Sequence, residues 1–190
     1  MEILKILLMN LQYDTINFEV VENIAIIRLN RPNSYNSLNA KMAKELLEIS
    51  YECDTNKKIR AIILTGEGDK AFCAGGDLKS FHETGNVAKH LKMVTHDLHG
   101  AITKFSRMNS PLIVAVNGVA AGAGLSFVAC CDLAIAVDKS TFTSAYTKIG
   151  LTPDGSSTYF LSRLIGRRRV MELYLTNRVL SSKEALEWGL

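Results

Sequence analysis

The sequence has little net charge and no cysteine spacing typical of a zinc site. Its 190 residues carry 22 Lys and Arg against 19 Asp and Glu, a formal charge of +3, which is too small to indicate a nucleic-acid-binding protein. The four cysteines, Cys53, Cys73, Cys130 and Cys131, lack metal-ligand spacing, and the adjacent pair is unfavourable for a disulfide. We interpret them as reduced thiols of a cytoplasmic protein.

Several motifs of known chemistry are missing. A dinucleotide-binding G-x-G-x-x-G that starts at Gly122 would need glycine where Phe127 stands, and there is no P-loop lysine. The segment around Ser126 lacks the second glycine of a G-x-S-x-G nucleophile elbow. His96 and His99 are three residues apart and would bind a metal only with further ligands. These absences disfavour nucleotide-binding, serine-hydrolase and metal-dependent enzymes.

We do not expect the first ten residues to form a secretory signal. The apolar run in MEILKILLMN is short, no small-residue cleavage site follows it, and it is too short to span a bilayer. Internal repeats, low-complexity tracts and long linkers are absent from the chain. We therefore expect an N-terminal extension over residues 1–10 and a single core domain over residues 11–190.

Short apolar runs alternate with segments of helical periodicity. NIAIIRL, IRAIILTG, PLIVAV and LAIAVD are typical of strands, and the first of them follows another strand across a turn at Glu22–Asn23. Residues 37–54 and 87–108 are typical of helices. Because the strand runs are continuously apolar, they predict an α/β fold with a largely parallel sheet buried on both faces.

Two segments of small residues each follow a predicted strand: CAGGDL at 73–78 and AAGAGL at 120–125. Side chains this small allow a helix to pack closely on a strand. They also allow main-chain N–H groups from both turns to converge on one oxygen, which would form an oxyanion hole for a thioester or ester. Composition alone leaves both interpretations open.

Four ordered segments resemble the crotonase superfamily, the enoyl-CoA hydratase/isomerase family. They are LNRPNSYNSLN, AFCAGGDLKSF, SPLIVAVNGVAAGAGLSFVACCDLAIA and the stretch that begins IGLTPDGSSTYFLSRLIG. The resemblance covers residues from about 15 to 190. It implies a spiral of ββα units, with largely parallel sheets flanked by helices. The C-terminal helices that complete trimer contacts in the family are expected to be missing from this sequence.

The resemblance also implies a substrate, an assembly and binding residues. It implies an acyl-CoA thioester of fatty acid metabolism, with coenzyme A as part of the substrate and no permanently bound cofactor or metal. A homotrimer or a hexamer is expected, without nucleic-acid or membrane partners. The resemblance assigns the oxyanion donors to the N–H groups of Gly76 and Ala123, where the family commonly has glycine at the second position. The residues implied to border coenzyme A are Tyr35, Asn36, Ser37, Ala74, Gly75, Asp77, Leu78 and Lys79.

The reacting side chains depart from those of the family's hydratases. Ser126 and Tyr146 stand where the hydratases have two glutamates, and both are poor general bases near neutral pH. Asp154 matches the catalytic aspartate of some isomerases of the family, although aspartate is also favoured in turns and helix caps. The resemblance therefore implies an enoyl-CoA isomerase in which Asp154 is the general base.

Three alternatives stay open. In a 4-chlorobenzoyl-CoA dehalogenase-like enzyme, Asp154 would be the nucleophile and His99 would activate water, with Tyr146 where the dehalogenase has tryptophan. An enoyl-CoA hydratase with an atypical site is the second. A non-catalytic member of the family that binds acyl-CoA is the third, and it is favoured if the Asp154 carboxylate points away from the two donors.

Overall fold

The computed structural model of the chain describes residues 12–190, and the predicted extension over residues 1–10 lies outside them. Two sheets have the strand orders β1-β2-β3-β5-β7 and β4-β6-β8-β9. The strands are β1 (Ile16–Val21), β2 (Ile24–Leu29), β3 (Ala61–Gly66), β4 (Ala71–Cys73), β5 (Leu112–Val116), β6 (Val119–Ala121), β7 (Leu133–Ala136), β8 (Thr141–Thr143) and β9 (Leu180–Ser181). Within the described residues, every strand pairing is parallel except β1–β2 and β8–β9, which confirms the predicted largely parallel arrangement.

Helices connect most of the parallel strands. They are α1 (Ala40–Thr55), α2 (Leu78–His82), α3 (Val87–Phe105), α4 (Ala123–Cys130), α5 (Ser157–Leu164), α6 (Arg167–Thr176) and α7 (Ser182–Trp188), with short 3₁₀ turns at Pro32–Ser34 and Thr147–Ile149. The start of α1 follows from its sequence, because the Asn39 side chain accepts a hydrogen bond from the Met42 N–H. Asn86 caps α3 in the same way.

The hairpin at the start of the fold follows from two residues. Glu22 and Asn23 both have positive φ angles, 48° and 70°, as a two-residue turn between antiparallel strands requires. Val21 then pairs with Ile24, and the predicted turn is confirmed.

The core lies between the larger sheet and the pair α1 and α3. The apolar faces of both helices point inward, and inward-facing residues of β2, β3 and β5 meet them. The largest contributors that are fully buried include Ile27, Met42, Leu46, Ile49, Leu64, Ile102, Phe105 and Val114. Burial of this continuous apolar surface is the main favourable term in folding.

The prediction that the strands are buried on both faces is wrong for β7. Leu133 and Ile135 are 62% and 66% exposed, and every residue of the strand is exposed. The physical reason is position, since β7 pairs only with β5 and forms one edge of the larger sheet. Its apolar run resembles that of a central strand, and periodicity cannot distinguish the two positions.

The smaller sheet fixes the start of α4 through one glycine. A Cβ built on Gly124 would lie 2.2 Å from the carbonyl oxygen of Cys73, far inside van der Waals contact. The contacted atom belongs to the main chain of β4 and cannot rotate away. Close packing therefore explains part of the small-residue segment at 120–125.

We expect Gly124→Ala to destabilise the protein by about 1–3 kcal/mol, because the added methyl group would overpack the contact with Cys73. Urea denaturation followed by circular dichroism measures the change. Gly85→Ala is the matched control, since a Cβ at Gly85 would meet nothing within 4 Å, and it should change stability by less than about 1 kcal/mol. Equal effects of the two substitutions would contradict this account of the packing.

Candidate active site

The two small-residue turns lie side by side. They leave β4 and β6 at the same end, because these strands are parallel neighbours in which Cys73 pairs with Ala120. A Cβ built on Gly75 would lie 3.0 Å from the carbonyl oxygen of Ala121 and 3.4 Å from the Gly122 Cα. The main chains of the two turns are therefore in contact, and no larger side chain fits between them.

The N–H groups of Gly76 and Ala123 stand on these adjoining turns. Gly75 and Gly122, the residues before them, have φ angles of +95° and +52°, which glycine adopts readily. Ala123 is the first residue of α4, where N–H groups have no partner within the helix. Within residues 12–190, neither the Gly76 N–H nor the Ala123 N–H donates a hydrogen bond. Both donors remain available to an oxygen from outside the chain.

Ser126 and Tyr146 are hydrogen-bonded to each other. The Ser126 Oγ lies 3.2 Å from the Tyr146 hydroxyl and also donates to the carbonyl oxygen of Asp154, 3.0 Å away. Burial raises the pKa of Tyr146, and the nearby charge of Asp154 adds to the effect. Both hydroxyls are therefore neutral, and neither can take the place of an ionised glutamate.

Asp154 and His99 form the ionisable pair of the site. The His99 Nε2 lies 2.7 Å from the Asp154 Oδ1, and the two side chains are 46% and 34% exposed. The interpretation of Asp154 as a helix cap does not hold, because Ser156 is the N-cap of α5. The carboxylate instead reaches α3, and solvent or a ligand can reach the pair.

A chain of contacts links this pair to the two donors. The main-chain carbonyl oxygen of Asp154 accepts a hydrogen bond from the Ser126 hydroxyl, and Ser126 lies one turn along α4 from Ala123. Tyr146 approaches the start of the same helix, since its ring carbon Cζ would lie 3.9 Å from a Cβ on Gly122. The structure thus brings together the predicted catalytic residues that lie on α3, on α4 and in the loop before α5.

An open cleft lies between α3 and α5, next to the loop that carries Asp154. Its volume is about 470 Å³, and its walls include Ile102, Ser106, Ser156 and Phe160. Ser156 follows Asp154 by two residues. The cleft is large enough for a small acyl or aryl group.

The residues predicted to border coenzyme A surround the turn after β4. Tyr35 is exposed, and its carbonyl oxygen accepts a hydrogen bond from the Ala74 N–H at 3.1 Å. Leu78 and Lys79 are exposed at the start of α2. Asn36 and Ser37 are buried. Contact of these residues with coenzyme A stays a prediction.

Arg31 and Gly155 belong to the surroundings of the site, but no motif in the sequence indicates them. Arg31 pairs with Asp77 at 2.7 Å, but the two residues are 46 positions apart and no local pattern connects them. Gly155 packs directly against Ser126, because a Cβ there would lie 2.7 Å from the Ser126 Cβ. The motif TPDG contains Gly155, but only the tertiary fold shows that Gly155 packs against Ser126.

Residues 12–190 contain neither a candidate metal site nor a helix that could span a membrane. No group of three or more His, Cys, Asp and Glu side chains is arranged to hold a metal ion. No helix of this part of the chain combines the length and the apolar character that crossing a bilayer requires.

Comparison with known proteins identifies the family. The sequence model of the family described as Enoyl-CoA hydratase/isomerase matches residues 19–190. The chain is 38% identical over 176 residues to 4-chlorobenzoyl coenzyme A dehalogenase-2 of an Arthrobacter species, covering 92% of the chain and 63% of the dehalogenase. It is 36% identical over 173 residues to the 1,2-epoxyphenylacetyl-CoA isomerase of Escherichia coli K12, covering 90% of the chain and 66% of the isomerase.

A solved structure agrees with these matches. The crystal structure of an enoyl-CoA hydratase from Bacillus anthracis has a TM-score of 0.87 to this chain at 32% identity, covering 93% of the chain and 68% of that structure. The chain belongs to the enoyl-CoA hydratase/isomerase family and has the crotonase fold, as the resemblance implied. It spans 63–66% of the length of the two curated relatives named above.

The reactivity of the four thiols provides a test of their burial in the folded protein. Burial raises the pKa of Cys53 to about 12 and the pKa values of Cys73 and Cys131 to about 11. Burial also raises the pKa of Cys130. Because the thiolate is the reactive form, we expect all four thiols of the folded protein to react with an aromatic disulfide at pH 8 roughly 100-fold more slowly than in urea. Fast reaction of one thiol in the native protein would contradict the protonated state of that cysteine.

Proposed function

We propose that the protein isomerises an unsaturated acyl-CoA by a 1,3-proton shift, with Asp154 as the single general base. One observation carries the proposal. The side chains at the two glutamate positions of the hydratases are neutral hydroxyls bonded to each other. The main-chain carbonyl oxygen of Asp154 accepts a hydrogen bond from Ser126, so Asp154 is the carboxylate-bearing residue next to this pair. One carboxylate is sufficient for a proton shift, whereas the family's hydration mechanism uses two.

The proposed reaction begins with the thioester oxygen between the N–H groups of Gly76 and Ala123. Asp154 removes the α-proton, and the electron pair moves onto that oxygen as an enolate, which the two donors stabilise. The protonated Asp154 then returns the proton to the γ-carbon, the double bond moves into conjugation and the carboxylate is regenerated. No oxidant and no water molecule is consumed.

His99 has a defined part in this proposal. Its Nε2 lies against the Asp154 Oδ1, which leaves the Oδ2 for the substrate. The imidazole would keep the carboxylate in one orientation during both proton transfers. His99 acts on Asp154 rather than on the acyl group, and it is a positioning residue for the isomerisation.

We also propose the partners that the family implies. An acyl-CoA thioester supplies coenzyme A as part of the substrate, with its adenine end near Tyr35 and its pantetheine arm beside the turn after β4. Homotrimers, or hexamers made of two trimers, are the proposed assembly in the cytoplasm. Two relatives are a 4-chlorobenzoyl coenzyme A dehalogenase and a 1,2-epoxyphenylacetyl-CoA isomerase, which supports an aromatic acyl group as one substrate class.

Asp154→Asn tests the isomerisation. The substitution keeps the size and the turn propensity of residue 154 but removes the base, so kcat should fall by about 10²-fold or more while KM changes little. The absorbance of the conjugated thioester, which appears as a 3-enoyl-CoA is converted, measures the rate.

Asp138→Asn provides the matched control, because Asp138 is exposed in the loop after β7. It should leave kcat unchanged. Near-full activity of Asp154→Asn would assign the reaction to another base. Hydration of crotonyl-CoA at a rate on the order of 10³ per second would show that the site is a hydratase after all.

A second candidate function is favoured by the contact between His99 and Asp154. An imidazole 2.7 Å from a carboxylate suits a dehalogenase-like reaction, and a dehalogenase is among the relatives at 38% identity. Asp154 would attack C4 of a 4-halobenzoyl-CoA and halide would leave, which forms an aryl ester. His99 would then deprotonate a water molecule that attacks the ester carbonyl, releasing 4-hydroxybenzoyl-CoA and the carboxylate.

His99→Gln separates this candidate from the isomerase. If the protein is a dehalogenase, the wild type releases halide from 4-chlorobenzoyl-CoA, and the variant accumulates the aryl ester because hydrolysis has lost its base. Intact-protein mass spectrometry detects the ester, and a halide electrode follows release. His96→Gln, on the same helix, should behave as the wild type. Absence of halide release by the wild type would remove this candidate and leave the isomerase.

A further inference from the structure

We propose that Arg31 is a positioning residue for the oxyanion hole, because its ion pair with Asp77 holds the turn that presents the Gly76 N–H. The inference rests on the proposed function, in which Gly76 is one of the two donors. Arg31 lies in the loop after β2, whose residues were expected only to border coenzyme A. The contacts of that loop point to mechanical support of the donor.

Leu38 holds the main chain on both sides of Gly76. The Leu38 N–H donates to the carbonyl oxygen of Gly75 at 2.7 Å, and the Leu38 carbonyl oxygen accepts from the Asp77 N–H at 2.8 Å. This short parallel bridge fixes the residues before and after Gly76 and leaves the Gly76 N–H without a partner. A shift of Leu38 would therefore move the donor.

Arg31 connects the two sides of this bridge. Its Nη2 lies 2.7 Å from the Asp77 Oδ2, and its Nη1 donates to the carbonyl oxygen of Ser37 at 2.6 Å. Ser37 precedes Leu38, and Asp77 follows Gly76. The Arg31 guanidinium thus joins Ser37 on one side of the bridge to Asp77 on the other. The planar, forked donor geometry of arginine permits both contacts at once.

Asp77 divides its two oxygens between two partners. The Oδ1 accepts from the Ser80 N–H at 3.2 Å and caps α2, while the Oδ2 faces Arg31. Burial favours the protonated form, but the hydrogen bonds from Arg31 and Ser80 outweigh it and hold the pKa of Asp77 below its usual range. The side chains of Arg31 and Asp77 are only 20% and 13% exposed, so solvent weakens this pair less than a surface ion pair.

The loop that carries Arg31 is itself anchored to β4. The Arg31 N–H donates to the Asn36 Oδ1 at 2.9 Å, and the Asn36 Nδ2 donates to the carbonyl oxygen of Ala71 at 2.8 Å. Ala71 begins the strand that leads into the turn. The guanidinium is therefore held at a fixed distance from the turn that it supports.

Below the turn, the ring of Phe81 occupies the space where Gly76 has no side chain. A Cβ built on Gly76 would lie 2.7 Å from the ring carbon Cε2 of Phe81. Phe81 in turn packs edge-on against His90, with ring centroids 5.7 Å apart. Leu38 therefore contacts the turn on one side and Phe81 on another, and Arg31 holds Asp77 at the end of the turn.

Loss of the ion pair should reduce the rate more than the affinity. A hydrogen bond to a developing oxyanion depends steeply on donor placement, because the donor must meet the oxygen in its charged state. Ser37 and Asp77 are two of the eight residues expected to border coenzyme A, so the expected contacts of the other six would persist. Arg31 therefore acts on the reacting oxygen only through Gly76.

The test compares Arg31→Met, Asp77→Asn, the double variant and Arg31→Lys. Asp77→Asn keeps an oxygen for the Ser80 N–H but removes the charge. We expect Arg31→Met and Asp77→Asn each to lower kcat by roughly 10- to 100-fold with little change in KM. The double variant should be no more than a few-fold worse than either single variant, since both remove one interaction. Arg31→Lys should recover part of the loss.

A spectroscopic readout separates positioning from general damage. Butyryl-CoA labelled with ¹³C at the thioester carbonyl is the probe, and the infrared carbonyl stretch of the bound probe reports the hydrogen bonds to its oxygen. The wild type should lower the stretching frequency, and Arg31→Met and Asp77→Asn should return it part of the way to the value of the free thioester. Arg178→Met is the matched control, since Arg178 also bridges two acceptors, Glu172 and Glu184, on α6 and α7. It should change neither kcat nor the frequency.

The other possible results distinguish failure of the positioning role from failure of the proposed function. Unchanged kcat and frequency in folded Arg31→Met, or lost kcat with a wild-type frequency, would overturn the positioning role. If Arg31→Met does not fold, Asp77→Asn and Arg31→Lys decide by the same two measurements. A wild type that binds butyryl-CoA without lowering its carbonyl frequency would instead contradict the proposed function, because the donors would then not hold the thioester oxygen.

Discussion

The main-chain contact between the turn after β4 and the turn after β6 is the constraint on which the site depends. A Cβ on Gly75 would meet the Ala121 carbonyl oxygen and the Gly122 Cα at 3.0 and 3.4 Å, so the two turns approach as closely as backbone allows. Parallel pairing of β4 with β6 brings the turns to the same end of the smaller sheet. The packing of Gly124 on Cys73 then sets where α4 begins. Close packing, one of the two interpretations that composition left open, is observed here, and the proposed oxyanion hole would use the same arrangement.

The proposed hydrogen-bond donors of the site are main-chain groups, whereas the proposed proton-transfer groups are side chains. The two N–H donors come from backbone, whose position is set by strand pairing, glycine conformation and the contacts of Leu38. The groups that would move protons come from α3 and from the loop before α5, in His99 and Asp154. The main chain proposed to bind a thioester oxygen is therefore structurally separate from the side chains proposed to move protons. This separation is consistent with relatives at similar identity that are named as a dehalogenase and as an isomerase.

Local signals in the sequence predicted much of the fold. The Glu22–Asn23 turn, the helix predicted over residues 37–54 and the parallel strands all follow from patterns that neighbouring residues determine. The exposure of β7 could not be predicted, because an apolar run does not state whether its strand lies at an edge. The start of α4 at Ala123 could not be predicted either, because alanines and glycines at 120–124 give no amphipathic periodicity.

Only those residues of the candidate site that lie in a family motif could be predicted from the sequence. Both turns and Asp154 lie in segments that resemble the family, and the structure brings them together. The partners of these residues are set by tertiary contacts over long sequence separations, as between Arg31 and Asp77 or between Gly155 and Ser126. Such contacts leave no local pattern, so neither the support of the Gly76 turn nor the packing under Asp154 could be found from the sequence.

The packing of Gly155 on Ser126 has an evolutionary consequence. Ser126 is fully buried, and the loop that carries Asp154 lies directly on it, with 2.7 Å between the Ser126 Cβ and the position of a Cβ on Gly155. A glutamate at residue 126 would need the volume that this loop occupies. Substitution of residue 126 by a larger side chain would therefore also displace the loop that carries Asp154. We expect residue 126 and this loop to change together among related sequences.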